Sequence, residues 1–362
     1  MPHRRRVLLV ILITQLVVAL VTGSVVVLVV RHLDGNIAAG PEIHHHATKQ
    51  VRPGQPHEPL NILVMGSDTR DCAGCHVDGE AGLGGSDTTI LLHVAADRRS
   101  AYGISIPRDL VVDRPDCTVD GKRVPGATDV LWNDAYAVGG PECTVEQVES
   151  VFAPIYVDDY LTINFGGFKN MVDAIDGVDV CIPQPLDDPT YLHVHFDAGR
   201  DVHLDGAQAL SYVRLRHVLS GTDIGRMKRQ QAFIAAMVGK VFSAGTLTRP
   251  DRLLGFADAL TGSLQASPDL AGAGALVDLA RQLKDADVAH IRFVTMPNFL
   301  FAPGTAGYPH VGLLPAYERL VQRVHEDLPI GKFGLGSVTA GGPRAHPGRA
   351  ARDAAAAAGI CA

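Results

Sequence analysis

Five basic side chains and one acid lie within 23 consecutive residues, in a chain whose formal net charge is −7. On an extended segment Arg214 and Arg216 would point to one face, and on a predicted helix Arg226 and Gln230 would share a face. Arginine forks beside a helix start, here near Asp223, suit a multiply charged anion such as a pyrophosphate. The alternative is a solvated basic face. The segment is 208–230, and its basic residues are Arg214, Arg216, Arg226, Lys228 and Arg229.

A second group of polar residues lies at the ends of predicted strands. Asp68 and Arg70 come directly after one strand, Asp87 opens the next, and Arg108 follows a third. Ligand sites in open α/β sheets collect where strands end, and two carboxylates at such an edge could hold Mg²⁺ together with water and phosphate oxygens. The alternative is that both aspartates form turns and that Arg108 makes a surface ion pair.

The N-terminal residues predict a membrane anchor. Residues 7–30 carry no charge, and they follow the three arginines at positions 4–6. As a helix this run would be roughly 36 Å long, enough to cross the hydrocarbon core. The preceding arginines predict that the N-terminus is cytoplasmic. A cleaved signal peptide is the alternative, but the run is long for one and no clear cleavage site follows it.

Composition divides the remainder into three parts. Residues 31–58 are rich in Gly and Pro and are predicted to be a linker, which contains His44, His45 and His46. A triple histidine can bind metal, although in a mobile linker it is more often a polar run. Residues 59–328 are sufficient for one sizeable domain, and the Gly/Ala-rich residues 329–362 are predicted to be disordered.

Six cysteines suit an oxidising exterior. Cys117 and Cys143 bracket a loop rich in Gly, Pro and Asp, and we expect them to pair. Cys72 and Cys75 could close a local disulfide or, with His76, contribute to a zinc site. The sequence alone does not choose among the possible pairings.

Hydrophobic periodicity predicts alternating strands and helices. This alternation indicates an α/β fold, with three α-β-α layers around a central mixed sheet, preceded by one transmembrane helix. The predicted strands are 60–65, 88–94, 99–106, 159–164, 178–182 and 291–295. The predicted helices are 143–152, with Thr144 as its N-cap, 167–175, ended by Gly177, 204–212, 223–242, and two more between residues 250 and 283.

Several of these fragments, taken in order, resemble the LytR-CpsA-Psr family of bacterial cell-wall glycopolymer ligases. Each fragment alone is weak, but together they cover about residues 61–240 at compatible spacing. They are GSDTR (66–70), SDT (86–88), SIPRD (105–109), NDAYAVGG (133–140), FGGF (165–168), VDAIDGV (172–178), LDGAQAL (204–210), RLR (214–216) and DIGRMKRQ (223–230).

The resemblance implies a phosphotransferase that moves a glycopolymer from a polyprenyl-pyrophosphate carrier onto peptidoglycan or a related wall acceptor, through a phosphodiester. It implies a single-pass protein of the cell membrane with an extracellular catalytic domain, residues 59–328, beyond a cytosolic stub, 1–6, and an anchor, 7–30. The implied Mg²⁺ ligands are Asp68 and Asp87. The implied pyrophosphate contacts are Arg108, Arg214, Arg216, Arg226 and Gln230, with Arg70 in reach of a phosphate.

The sequence leaves open the identity of the general base and the choice among several functions. Asp87 and Asp223 are both candidates for the base that activates the acceptor hydroxyl. A non-catalytic lipid-pyrophosphate binder or a hydrolase would need the same residues as a ligase. A transcriptional regulator is less favoured, because the six-residue stub holds no helix-turn-helix and nucleic acid is not an expected partner.

Overall fold

The computed structural model describes residues 2–361 except 53, 56, 68–84, 217, 220–222, 287–290 and 340–348. Its helices are α1 (Pro2–Asn36), α2 (Asp134–Val151), α3 (Phe165–Ala174), α4 (Gly206–Arg214), α5 (Asp223–Val241), α6 (Ala244–Leu247), α7 (Pro250–Thr261), α8 (Ala273–Asp285), α9 (Ala316–His325) and α10 (Arg349–Ala357). The predictions made for Asp68, Arg70, Cys72, Cys75 and His76 fall outside the described residues.

The strands are all short, none longer than nine residues. They are β1 (Ala38–Ala39), β2 (Leu60–Ser67), β3 (Ser86–Val94), β4 (Ala101–Ile106), β5 (Val111–Arg114), β6 (Cys117–Val119), β7 (Lys122–Val124), β8 (Ala127–Leu131), β9 (Asp159–Asn164), β10 (Val178–Ile182), β11 (Leu186–Asp188), β12 (Val194–Phe196), β13 (Gly199–Leu204), β14 (Leu264–Ala266), β15 (Arg292–Thr295), β16 (Asn298–Leu300) and β17 (Val311–Leu313).

Seven strands form one mixed sheet in the order β1-β14-β9-β2-β3-β4-β15. β2 runs parallel to β9 and antiparallel to β3, which is in turn antiparallel to β4. β2 is apolar on both faces because both are covered: Leu63 and Met65 pack with α2 and α9, whereas Ile62 packs with α8. The predicted α-β-α architecture with a mixed central sheet is confirmed.

A second core lies beside the sheet, between α3, α4, α5 and the hairpin of β10 and β13. Gly177 directs the chain from α3 into β10 with φ +72°, and its N–H donates to the carbonyl of Val172 at 3.0 Å. A Cβ at this position would lie 2.4 Å from His203 Nε2, so both conformation and space favour glycine. The helix end predicted at Gly177 is confirmed.

The start of α2 differs from the prediction. The helix begins at Asp134 rather than near Cys143, and it is kinked where Gly139 and Gly140 leave helical geometry. Pro141 opens the second half, a position that needs no backbone N–H. Thr144 therefore lies inside the helix and is not its N-cap; its hydroxyl donates to the carbonyl of Gly140 at 2.8 Å.

The helix α1 contains a span, Arg6–Asn36, that is long and apolar enough to cross a membrane. The chain beyond it, where residues 31–58 were predicted to be a linker, is in contact with the domain. β1 extends the central sheet beside β14, and Asp34 Oδ1 accepts the backbone N–H of Ala273 at 2.7 Å. The Gly and Pro content of the segment could not predict these contacts, because their partners are more than 200 residues away in the sequence.

Residues 329–362, predicted to be disordered, also make long-range contacts where the structure describes them. Val338 exchanges two backbone hydrogen bonds of 2.9 Å with Phe293, at the edge of the sheet. The alanine-rich α10 places Ala355 in a small apolar cluster with Ile360. A disulfide then joins Cys361 to Cys181, so a covalent bond fastens the end of the chain.

The predicted disulfide between Cys117 and Cys143 is confirmed. It joins β6 to the second half of α2, and both cysteines are buried. Two disulfides in the described residues agree with the expected oxidising environment.

Candidate functional site

The centre of the candidate site is Asp87, which lies in a β-bulge. Gly66 pairs with Thr88 and Ser67 pairs with Ser86, so Asp87 is the extra residue of β3 with no partner on β2. A bulge redirects a side chain that would otherwise follow the alternation of the strand. The Ser86 hydroxyl donates to the carbonyl of Thr88 at 2.9 Å across the bulge.

The first arginine at Asp87 comes from the end of the neighbouring strand. β4 ends at Ile106, and Pro107 directs the next residue, Arg108, away from the sheet. The Nη1 group of Arg108 donates to Asp87 Oδ1, and its Nε donates to Asp109 Oδ1 at 3.1 Å. Sequence reasoning did not assign a role to Asp109, although its position directly after Arg108 could have suggested one.

Two more arginines approach Asp87 from the segment after α4 and from α5. Arg216 follows α4, and its Nη2 lies 3.3 Å from Asp87 Oδ1. Arg226 lies in the first turns of α5, and its Nη1 lies 3.7 Å from Asp87 Oδ2. Three guanidiniums from three separate parts of the chain therefore surround one carboxylate. The resemblance placed these four residues in one site, but it gave Asp87 as a Mg²⁺ ligand and the arginines as diphosphate contacts, not as partners of Asp87.

The charges at Asp87 favour its ionised form. Burial alone would raise the pKa of Asp87, but the guanidiniums of Arg226, Arg108 and Arg216 together lower it. Burial lowers the pKa of Arg216, and the like charge of Arg226 lowers it further. The cluster thus holds three cations close together. Their mutual repulsion is unfavourable, and a second anion would reduce it.

Asp223 has a different environment although it shares an arginine with Asp87. Its Oδ1 lies 2.7 Å from Arg226 Nη2, while its Oδ2 is buried and has no hydrogen-bond partner among the described residues. Burial raises the pKa of Asp223, against the opposing effect of Arg226. The two aspartates are therefore shifted in opposite directions within one cluster.

The buried guanidinium of Arg226 has unused donor capacity. Its side chain is 1% exposed, and its Nε has no acceptor among the residues that the structure describes. A buried donor left without an acceptor costs about 1–3 kcal/mol. A bound anion would supply that acceptor.

Arg214 and Gln230 lie differently from the sequence prediction. Arg214 is the last residue of α4, so it does not share an extended segment with Arg216, and its guanidinium stacks 5.1 Å from the ring centroid of Phe165. The Gln230 side chain donates to the carbonyl of Val213 at 3.2 Å, which ties α5 to α4. The described contact of Gln230 is thus structural.

Arg229 was counted with the basic residues, but its role is structural. Its side chain is 1% exposed and donates to the carbonyls of Leu215 and Ala358. Burial lowers its pKa to about 10. The contact with Ala358 joins α5 to the C-terminal segment, and no short-range sequence signal could have shown it.

A known protein family matches most of this chain. The model of the LytR_cpsA_psr family matches residues 33–306. The chain belongs to the LytR-CpsA-Psr family. The match includes β1, the bulge at Asp87 and all three arginines around it, and it continues past the part of the sequence in which the motifs were recognised.

Curated relatives include the cell wall biosynthesis protein LcpA of Corynebacterium glutamicum, which is 30% identical over 78% of this chain and 58% of its own length. The polyisoprenyl-teichoic acid--peptidoglycan teichoic acid transferase TagU of Enterococcus faecalis is 34% identical over 54% of this chain and 58% of its own length. The matches thus span little more than half the length of these relatives.

Solved structures share the fold of this family member. The LytR-Csp2A-Psr enzyme from Actinomyces oris superposes with a TM-score of 0.59 at 19% identity, covering 80% of this chain and 96% of that one. A structure of TagT bound to LI-WTA gives a TM-score of 0.57 at 20% identity, covering 80% and 99%. At these identities the likeness concerns the fold alone.

Proposed function

We propose that this protein is a phosphotransferase that moves a glycopolymer from a polyprenyl-pyrophosphate carrier onto peptidoglycan or a related wall acceptor. The observation that carries the proposal is the convergence of Arg108, Arg216 and Arg226 on Asp87, with a buried Arg226 donor that lacks an acceptor. The name of TagU in Enterococcus faecalis describes a transfer of this kind.

The arrangement suits phosphoryl transfer, which needs charge neutralisation and in-line positioning more than covalent help from the protein. Three guanidiniums on separate elements can contact a diphosphate from several directions. Because their positions are fixed by Asp87 and Asp109, little reorganisation is required when charge develops on the phosphoryl oxygens. Arg214, which lies against Phe165, is kept as a further diphosphate contact because the family resemblance implies it.

We assign the role of general base to Asp223 rather than Asp87. A base must take a proton, and the three guanidiniums lower the pKa of Asp87. Burial raises the pKa of Asp223, and its Oδ2 has no hydrogen-bond partner among the described residues. The acceptor hydroxyl would give its proton to this oxygen.

Mg²⁺ fits the chemistry of Asp87. The ion prefers hard oxygen ligands, and the lowered pKa keeps this carboxylate ionised. Asp87 would hold the ion, together with Asp68, the second ligand proposed from the sequence, which lies outside the described residues. When bound, Mg²⁺ would neutralise part of the charge of the diphosphate.

The location follows from the same proposal. α1 would be an uncleaved single-pass anchor with a cytoplasmic N-terminus, and the domain from residue 59 would be extracellular. The two disulfides of the described residues support an oxidising compartment.

The test is to incubate the full-length protein in detergent with a polyprenyl-pyrophosphate oligosaccharide, Mg²⁺ and peptidoglycan fragments, and to identify the products by mass spectrometry. A phosphodiester-linked conjugate together with polyprenyl monophosphate is the expected result. Release of the sugar phosphate to water would indicate a hydrolase, and binding without turnover would indicate a carrier-presenting protein. Either outcome would contradict the proposal.

A further inference from the structure

Three consecutive histidines each contact a different buried glutamate of α2. His44 Nδ1 lies 2.7 Å from Glu142 Oε1, and His46 Nε2 lies 2.9 Å from Glu146 Oε2. The histidine between them contacts the third glutamate at 2.8 Å. The glutamate side chains are at most 3% exposed, whereas the histidines are 28–53% exposed. The proposed transfer uses none of these groups.

The spacing on both segments explains these contacts. Glu142, Glu146 and Glu149 are separated by four and three residues, so they share one face of a helix. His44 and His46 are two residues apart in a segment without helix or strand, and both are directed toward that face. Two different parts of the chain thus bring imidazoles and carboxylates together.

The contacts of Glu149 are structural. One oxygen accepts the backbone N–H of Val157 at 3.0 Å, and the other accepts those of His46 and Ala47 at 2.7 and 2.9 Å. His45, which contacts the first oxygen, is itself in contact with the hydroxyl of Tyr156 at 2.9 Å. This pair fixes the course of the segment across α2.

Glu142 and Glu146 have fewer partners. Glu146 accepts the backbone N–H of Thr118 at 3.0 Å, and for Glu142 the described contact is His44. Two buried carboxylates one helical turn apart repel each other, and a cation between them would reduce that repulsion.

We propose that His44, Glu142 and Glu146 bind a divalent transition-metal ion of the zinc class. One donor atom from each residue lies within 4.8 Å of the other two. A tetrahedral zinc ion holds its ligand atoms about 3.3 Å apart. His44 and Glu142, in direct contact at 2.7 Å, would have to separate slightly to admit the ion, and His44 has room to move because its side chain is 53% exposed. His46, already at Glu146, is next to this donor set.

The donor types favour zinc over magnesium. Imidazole is a ligand for zinc, copper, iron and nickel, whereas magnesium prefers oxygen ligands alone. A bound ion would fasten the segment that follows the membrane helix to α2, which Cys143 also joins to β6. The site shares no residue with the arginine cluster. The zinc proposal and the proposed phosphotransfer can therefore be refuted independently.

The test uses the full-length protein in detergent, purified with an affinity tag that contains no histidine and treated with a chelator. Zinc stoichiometry is measured by elemental analysis, affinity by calorimetry, and stabilisation by thermal melting. We expect one zinc per chain, an increase in melting temperature on binding, and at least tenfold weaker binding after His44→Ala or Glu142→Gln. Magnesium at the same concentration should not compete.

A matched control is His195→Ala. This side chain is 56% exposed and contacts two carboxylates, those of Asp187 at 3.8 Å and Asp197 at 3.3 Å, but it lies outside the proposed donor set. The control should bind zinc as the unaltered protein does. No zinc binding by the unaltered protein would overturn the proposal. Zinc binding unchanged by His44→Ala and Glu142→Gln would also overturn it, because the ion would then lie elsewhere.

Discussion

At the scale of residues, the central feature is one carboxylate held among three arginines. The family resemblance predicted that Asp87, Arg108, Arg216 and Arg226 belong to one site, whereas their positions at the ends of elements alone left turn formers and a surface ion pair as alternatives. It did not predict that Asp87 lies in a bulge, since the bulge depends on the register between β2 and β3. The position of Arg214 was also missed, because α4 continues to that residue and removes it from an extended segment.

The buried Arg226 should be essential for transfer. Arg226→Ala removes charge-assisted contacts to the diphosphate of roughly 1.5–3 kcal/mol, so catalytic efficiency should fall about ten- to a hundredfold. Arg226→Lys should recover only part of the loss, because an ammonium group cannot form a two-point contact. Rates are measured against lipid-pyrophosphate concentration, with folding checked by thermal melting. Full recovery by lysine would argue against guanidinium geometry as the cause.

The lowered pKa of Asp87 predicts a pH-dependent contribution to stability. A carboxyl whose folded pKa is below its unfolded value near 3.9 stabilises the fold above that value, and the contribution is lost as pH falls through the folded pKa. Asp87→Asn should therefore lower the melting temperature at pH 7, and the difference from the unaltered protein should shrink toward pH 3. A difference that stays constant over this range would mean that the carboxylate charge is not the cause.

At the scale of elements, hydrophobic periodicity predicted five of the seven strands of the central sheet, but it missed the short hairpin strands β5–β8 and β11–β13. β9 and β10 have the predicted bounds, and α3, α4 and α5 are close to theirs. The first half of α2 was missed, because the sequence Gly139-Gly140-Pro141 indicates a break, whereas the chain forms helix on both sides of a kink. Near the two ends of the chain β1 and α10 were missed, because their partners are distant in sequence.

The two described disulfides should differ in their effect on stability. They join residues 26 and 180 positions apart, and the chain-entropy description assigns about 3.5 and about 5 kcal/mol to loops of these lengths. Cys181→Ser/Cys361→Ser should therefore reduce the free energy of unfolding more than Cys117→Ser/Cys143→Ser. Denaturant unfolding measures both. The opposite ranking would show that loop length does not govern stabilisation in this fold.

At the scale of the whole molecule, the chain connects a candidate membrane helix directly to its domain. α1 continues to Asn36, β1 joins the central sheet, and the disulfide at Cys361 returns the other end of the chain to the domain. Composition predicted a linker at residues 31–58 and a disordered segment at residues 329–362. Gly, Ala and Pro content reports local stiffness, and it cannot report a covalent bond or a sheet pairing with a distant partner.

The proposed anchor predicts a defined distribution in cells. The full-length chain should be recovered with membranes, and external protease should degrade the domain in intact spheroplasts. The physical reason is the exposed apolar surface of α1, which includes Leu8, Leu12 and Leu20 at 60–64% exposure. A soluble mature form that begins near residue 31 would instead identify a cleaved signal peptide.

The central claim, that the arginine cluster binds the carrier diphosphate during transfer, is tested most directly by the transfer rate of Arg216→Ala compared with Arg249→Ala. Arg216 is 40% exposed, so its replacement should leave the fold intact, and Arg249 is a comparably exposed arginine that also pairs with an aspartate, at 3.3 Å. Conjugate formation on peptidoglycan is measured against lipid-pyrophosphate concentration. The account predicts a loss of about tenfold or more for Arg216→Ala and no change for Arg249→Ala. Equal transfer by the two folded variants would contradict it.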